Sequence, residues 1–231
     1  MNEVFWVAFL TVVTSFIGFL ITYSVYKRTK GGSRGFLYWA YCAGFYFIGN
    51  ILILIGILIT QNYEFFTRVL GDGFLSILAS FFVFFGIVWL GVDFKIFKFK
   101  KEFLRKISFL IIILSLFMYL LIVSSPVINI LSYEKAMRIG LILGTGIQTI
   151  FWFAASISFY PLHKILKKGT IAWSFLYIAV IDNVINNSLQ TLINLGIYPE
   201  IFGIYNVLTA GIFAIFFIFG FFILERALKV F

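Results

Sequence analysis

The chain has 231 residues, of which 62% are hydrophobic and only 12% charged, against about 25% charged in an ordinary soluble domain. Its mean hydropathy of +1.08 belongs to an integral membrane protein. A single cysteine, Cys42, excludes an internal disulfide. A single histidine, His163, excludes a histidine metal cage, and a formal charge of +9 confined to short loops excludes a solvated nucleic-acid-binding domain.

Crossing a hydrocarbon core of about 30 Å takes about 20 apolar residues. Seven stretches qualify, near 4–26, 35–60, 72–93, 106–124, 137–160, 171–195 and 203–225. The first opens MNEVF, with an acid where a signal peptide would be basic, so it reads as a span and not a leader. Lys27, Arg28, Lys30 and Arg34 follow it, around a Gly31-Gly32 turn. Span two opens Phe36-Leu37-Tyr38 and carries Asn50. Lys95, Lys98, Lys100, Lys101, Arg105 and Lys106 follow span three. Lys164, Lys167 and Lys168 follow span five, and Arg226 and Lys229 close span seven. Only Arg68, Lys135 and Arg138 fall at the other ends. The positive-inside rule then sets the N-terminus outside and the C-terminus in the cytoplasm, with the basic loops against headgroups. The predicted class is all-α integral membrane: one seven-helix domain over 1–231, multi-pass in the cell membrane, its direct partner the lipid bilayer.

The chain also carries a modest internal repeat. Phe36-Leu37-Tyr38 and Ala40 recur 139 residues later as Phe175-Leu176-Tyr177 and Ala179. Phe82, Phe85, Gly86, Leu90, Lys95 and Phe97 align with Phe216, Phe219, Gly220, Leu224, Lys229 and Phe231. Spans 1–3 and 5–7 therefore read as parallel three-helix halves, about 1–100 and 137–231, joined by span four. Binding sites in such proteins lie where the halves meet. Gly140 and Gly144 in span five, with Gly146 after them, and Thr11 and Ser15 in span one, are small-residue pairs expected to serve helix packing.

Span six breaks the apolar pattern with IDNVINNSLQTLINLG. At about 100° per residue, Asp182, Asn186, Gln190, Asn183, Asn194 and Asn187 fall in that order within an arc of about 140°. Ser188 lies off it, and Val184, Ile185, Leu189 and Leu192 cover the rest. One polar stripe on an apolar helix faces the bundle interior. It starts at Asp182, near the midplane, and climbs outward, which reads as one wall of an outward-facing pocket. Asn50 and Gln148 are the expected ligand-binding residues opposite, with Thr11, Thr14, Ser15, Thr145 and Thr149 nearby and Tyr41, Tyr46 and Trp152 as aromatic walls. Glu3, Glu64, Asp72, Glu134 and Glu200 fall at outer ends, and Asp93, Glu102 and Glu225 at inner ends. Asp182 is left as the one acid deep in the bilayer, where a charge costs about 2.5–3.5 kcal/mol on insertion scales. Amide neighbours or a bound cation must satisfy it.

No catalytic constellation is expected. His163 is placed in a cytoplasmic loop, far from any serine–aspartate pair. There is no His–Glu–x–x–His motif, no phosphate-cradling glycine loop, no second membrane carboxylate and no mid-membrane lysine in span seven. The expectation is a non-enzyme needing no cofactor and no metal.

Three segments carry a resemblance: YKRTKGGSRGFLYWAYCAGFYFIGN, FFGIVWLGVDFKIFKFKKEFLRK and NLGIYPEIFGIYNVLTAGIFAIFFIFGFFILERALKVF. They resemble the seven-span sensor region that precedes microbial histidine kinases. That resemblance implies a receptor for a small polar ligand or lipid headgroup. With the sequence ending at Phe231, it also implies a separate cytoplasmic or membrane protein partner for output. The three-plus-one-plus-three layout is similar to that of the SWEET and PQ-loop transporters, which implies small-solute transport. The Pro-Gln dipeptide of the PQ-loop group is absent, and Pro126, Pro161 and Pro199 lie near span ends. A structural subunit of a membrane complex is the third expectation, and nucleic acid is not an expected partner.

Overall fold

The structure is a computed structural model that describes residues 3–29, 33–59, 68–127, 130–168, 170–197 and 199–228. Gly31-Gly32, Lys30, Glu64, Lys229 and Phe231 lie outside the described residues, as do the side chains of Glu3, Arg68, Asp72 and Glu200.

Long apolar runs without interior breakers satisfy their backbone groups internally, and the described residues form helices joined by turns. The helices are α1 (Glu3–Arg28), α2 (Arg34–Ile59), α3 (Ser76–Asp93), α4 (Lys101–Ser124), α5 (Tyr133–Leu166), α6 (Ala172–Asn194) and α7 (Pro199–Leu228). Among the described residues there is no strand. Among the described residues, five helical stretches are long and apolar enough to cross a membrane: Phe9–Arg28, Arg34–Gly56, Val69–Asp93, Lys101–Ser124 and Tyr133–Leu166. The α6 helix is not among them, because its Asp, Asn and Gln side chains lower its mean hydropathy.

Three differences from the sequence reading bear on the architecture. The fourth helix begins at Lys101, so Lys101, Arg105 and Lys106 ride on its first turns. Their long stems let charged heads reach water from a helix. The fifth helix runs 34 residues, through Pro161. It takes in His163, which therefore sits in a last helical turn and not in a loop. There the ring stacks on Tyr177 at 4.8 Å and its Nε2 lies 3.1 Å from the Ser174 hydroxyl. Thirdly, α3 is preceded by a π-helical segment, Arg68–Leu75. A π turn loosens the carbonyl ladder, and here two side chains supply donors. The Tyr119 hydroxyl donates to the Val69 carbonyl at 2.9 Å and the Ser76 hydroxyl to that of Gly71 at 3.0 Å. The α6 helix stops at Gly196, whose φ of +83° suits glycine, with the Ile197 N–H reaching back to the Leu192 carbonyl.

The helices close a ring of six: α1 packs on α2, α2 on α3, α3 on α5, α5 on α6, α6 on α7 and α7 on α1. Outside the ring, α4 rests on α5, α3 and the π segment. Its anchor is Tyr119, which is buried against Gly73 and Gly144, while Val123 lies over Gly140. The Gly140–Gly144 pair is thus a packing seat, whereas nothing approaches Gly146.

One end of the bundle carries the described basic loops and is called here the basic end. Its seams are tied by hydrogen-bonded acids. Glu225 of α7 accepts from Ser24 at 2.7 Å and Arg28 at 2.9 Å, both on α1. Asp93 accepts from Ser33 at 2.8 Å and Lys101 at 2.7 Å. Just inside lies an aromatic layer centred on Trp39. It stacks on Phe217 at 5.8 Å and meets Phe221 edge-on at 5.0 Å and Phe159 at 5.8 Å. Two glycines make room for this layer. A Cβ on Gly86 would collide with the Trp39 indole, and one on Gly220 with Leu176.

Alanine at Gly86 or Gly220 is expected to lower stability by about 1–3 kcal/mol through overpacking. Gly146→Ala, in open space, is expected to be neutral or stabilising by up to about 1 kcal/mol. Thermal unfolding of the three variants in nanodiscs checks the contrast, and equal effects would contradict the packing described.

Candidate functional site

A stripe of amides on α6 must meet polar groups or water, because an amide left alone in an apolar bundle costs several kcal/mol. It meets a cavity of about 210 Å³ in the middle of the ring, on the side of the Trp39 layer away from the basic end. Asn183, Asn186, Asn187 and Gln190 line it from α6. Cys42, Ala43, Tyr46 and Asn50 line it from α2, and Thr11, Thr14, Ser15 and Gly18 from α1. Gln148 reaches it from α5 and Ser76 from α3, while Phe213, Ala214, Phe217 and Ile218 form the α7 wall.

Six of the eight residues expected at a ligand site therefore share one cavity: Asn183, Asn186, Asn187, Gln190, Asn50 and Gln148. Asp182 and Asn194 do not line it. Asn194 sits two turns above Asn187 and donates to the Thr145 hydroxyl at 3.4 Å, so it belongs to the α5–α6 seam. Thr149 and Thr191, 3.3 Å apart, continue that seam. Asp182 is turned to the opposite side, toward α7, where it meets the Phe213 backbone. The stripe thus has three addresses: its centre faces the cavity, and its two edges face the flanking helices.

The expected aromatic walls also divide. Tyr46 lines the cavity, with its hydroxyl facing the Asn183 side chain. Trp152 is fully buried behind the wall, edge-on to Phe213 at 5.6 Å. Tyr41 is exposed on the outside of the bundle beside Tyr38 and Phe82. Thr11 and Ser15, read from sequence both as a packing pair and as candidates near the opposite wall, line the cavity.

The hydrogen bonds show what this lining leaves available. Asn50 Nδ2 donates to the Thr11 carbonyl at 3.4 Å and to the Ser15 hydroxyl at 3.3 Å. Asn187 Nδ2 donates to the Asn183 side-chain oxygen at 3.1 Å and backbone oxygen at 2.8 Å. Thr209 donates to Asn186 Oδ1 at 2.8 Å. Each of Asn50, Asn186 and Asn187 thus has one end of its amide held by protein, while the other has no hydrogen bond among the described residues. The Thr14 and Ser15 hydroxyls donate to carbonyls of their own helix and keep only acceptor capacity. No charged side chain of the described residues lines the cavity.

Cys42, Ala43, Tyr46 and Asn50 lie at helical spacing on one face of α2, a signal present in the sequence. The α7 wall gave no such signal, because Phe and Ile surround that helix and no face stands out. No protein-family model, curated protein or solved structure matches the chain.

If the amides serve a ligand and not the fold, removing one that bonds only within its own helix should cost no stability. Asn187→Leu, whose side-chain bonds stay within α6, is expected to melt at or above the wild-type temperature. Asn50→Leu and Asn194→Leu, which break interhelical bonds, should each cost roughly 0.6 kcal/mol per bond. A clear loss of stability in Asn187→Leu would make the stripe a structural seam.

Proposed function

We propose that the protein is a multi-pass membrane protein of seven spanning helices, N-terminus outside and C-terminus in the cytoplasm, that binds a small uncharged polar molecule. The reading is of a receptor- or sensor-like module whose pocket opens to the outside and whose occupancy is passed to a separate cytoplasmic partner. The observation that carries it is the cavity lining: one amide end each of Asn50, Asn186 and Asn187 with no hydrogen bond among the described residues, surrounded by hydroxyls and by the rings of Tyr46, Phe213 and Phe217, with no charged side chain of the described residues. Free donor and acceptor ends together select a solute that offers both. An ion placed there would lose its hydration without a counter-charge. An apolar cavity of about 150 Å³ accepts benzene, so about 210 Å³ suits a six-membered ring bearing polar substituents, or its equivalent.

The orientation rests on the basic end being the cytoplasmic one. The aromatic layer and the Glu225–Arg28 pair then lie between the cavity and the cytoplasm, as in a receptor that reads the outside.

Small-solute transport is the second reading, and the ring order favours keeping it. Exchanging α1, α2 and α3 for α5, α6 and α7 turns every contact of the ring into another contact of the ring. Gly86 and Gly220, aligned by the repeat, each admit a side chain of the preceding helix. Asn50, aligned with Leu189–Gln190, faces the same cavity as Gln190. Two such halves can rock about a site between them.

Thermal shift in nanodiscs tests the binding reading with a panel of neutral polyols and amides, carboxylates and amines. Neutral solutes are expected to stabilise, by about 2.7 kcal/mol at a hundredfold excess over Kd, and Asn187→Leu should abolish the effect. Stabilisation by charged solutes alone would overturn the reading. For transport, cysteines at Leu176 and Leu224 should label from the basic side during solute exchange. A receptor keeps both protected.

A further inference from the structure

Asp182 is not accounted for by the cavity. It is 8% exposed, and its Oδ2 has no hydrogen-bond partner among the described residues. It lies one turn from Asn186 on the same helix face, in the α6–α7 seam. The described ion pairs engage Asp93, Glu102 and Glu225, and none reaches Asp182. On α5, the ionisable His163 is held at the basic end by Ser174 and Tyr177. On α2, Tyr46 faces Asn183, on the cavity side. On α7, Glu225 and Arg226 lie at the basic end and Glu200 in the first turn at the far end. A buried carboxylate with no counter-charge is among the costliest groups a membrane protein can hold.

The Phe213 backbone meets one side of this carboxylate. Residues four apart on a helix are neighbours, which puts Asn186 on the next turn of the same face. Thr209, across the seam, presents its hydroxyl to Asn186 Oδ1 at 2.8 Å. Carboxylate, amide carbonyl and hydroxyl oxygens are donors for a hard cation. A single carboxylate balances one positive charge. Among the described residues no group of three or more His, Cys, Asp or Glu side chains could hold a metal ion, which disfavours a divalent site.

We propose that Asp182, Asn186 and Thr209 form a site for a small alkali cation, Na⁺, in the α6–α7 seam, its remaining coordination supplied by water. The site is distinct from the cavity and shares only Asn186 with it, so it stands whatever the cavity takes.

The test is equilibrium binding of radioactive sodium to the full chain in nanodiscs. Thermal melts in sodium chloride and in N-methylglucamine chloride, at equal ionic strength and fixed pH, accompany it. The expected results are saturable binding of one ion per chain and a melting temperature several degrees higher in sodium. Asp182→Asn keeps the shape, removes the charge, and should abolish both. Thr209→Val should weaken sodium binding severalfold while leaving the carboxylate in place, and with the wild-type binding data it decides the matter if Asp182→Asn does not fold. Absence of sodium binding by the wild type, a sodium response that survives in Asp182→Asn, or a melting temperature that follows pH and ignores sodium would each overturn the assignment.

Discussion

Every amide in an apolar bundle needs a partner for both of its ends, and on α6 Asn186 and Asn187 each keep one end without a hydrogen bond among the described residues. That imbalance organises the middle of the molecule. The neighbouring helices meet the stripe with small and polar side chains, Thr11, Ser15, Cys42 and Asn50 among them, where large apolar groups would have closed the space. Some ends are bonded: Asn187 to Asn183, Asn186 to Thr209, Asn194 to Thr145. The remainder face a cavity, which is how a bundle with polar groups in surplus stays compatible with its surroundings.

The Trp39 layer gives the cavity a floor. Bulky aromatics can meet at the centre of a six-helix ring only if backbones elsewhere come close enough to seal it. Gly86 and Gly220 supply that closeness on opposite arcs of the ring. The same layer brings side chains of α2, α5 and α7 together through Trp39, Phe159 and Phe217. A change of cavity occupancy has a short path into it, since Phe217 belongs to both the cavity wall and the aromatic layer. That shared residue is the physical basis for treating ligand binding and a response at the basic end as linked.

Much of this was legible in the sequence, and the illegible parts have identifiable causes. Hydropathy marked the helices because burial in an apolar medium demands long apolar runs. It misjudged the start of α4 and both ends of α5, since Lys101, Arg105, Lys135, His163 and Lys164 have side chains that can leave a helix for water. Angular position on α6 gathered the amides correctly onto one face. It could not divide that face among a cavity and two seams, because the division depends on where α5 and α7 lie. Nothing in the spacing of Tyr41 distinguished it from Tyr46, five residues on, yet one faces outward and the other lines the cavity. Thr11 and Ser15 carried two readings, packing pair and pocket wall, because small side chains serve close contact and open space equally well.

The account stands or falls on the cavity being a real space, reached from the side away from the basic loops and sealed toward them. Cys42, the only cysteine in the chain, borders that cavity but is 1% exposed, so Cys42→Ala combined with Ser15→Cys puts a reporting thiol on a less buried part of the lining. The direct measurement is that thiol's modification by a small membrane-impermeant thiol reagent in sealed vesicles, applied to one face at a time. Sidedness would be calibrated by a second cysteine placed in the loop between α3 and α4. The account predicts modification from the face opposite the basic loops and protection when Asn50→Trp fills the space. Modification from the basic face, or none from either face, would contradict it.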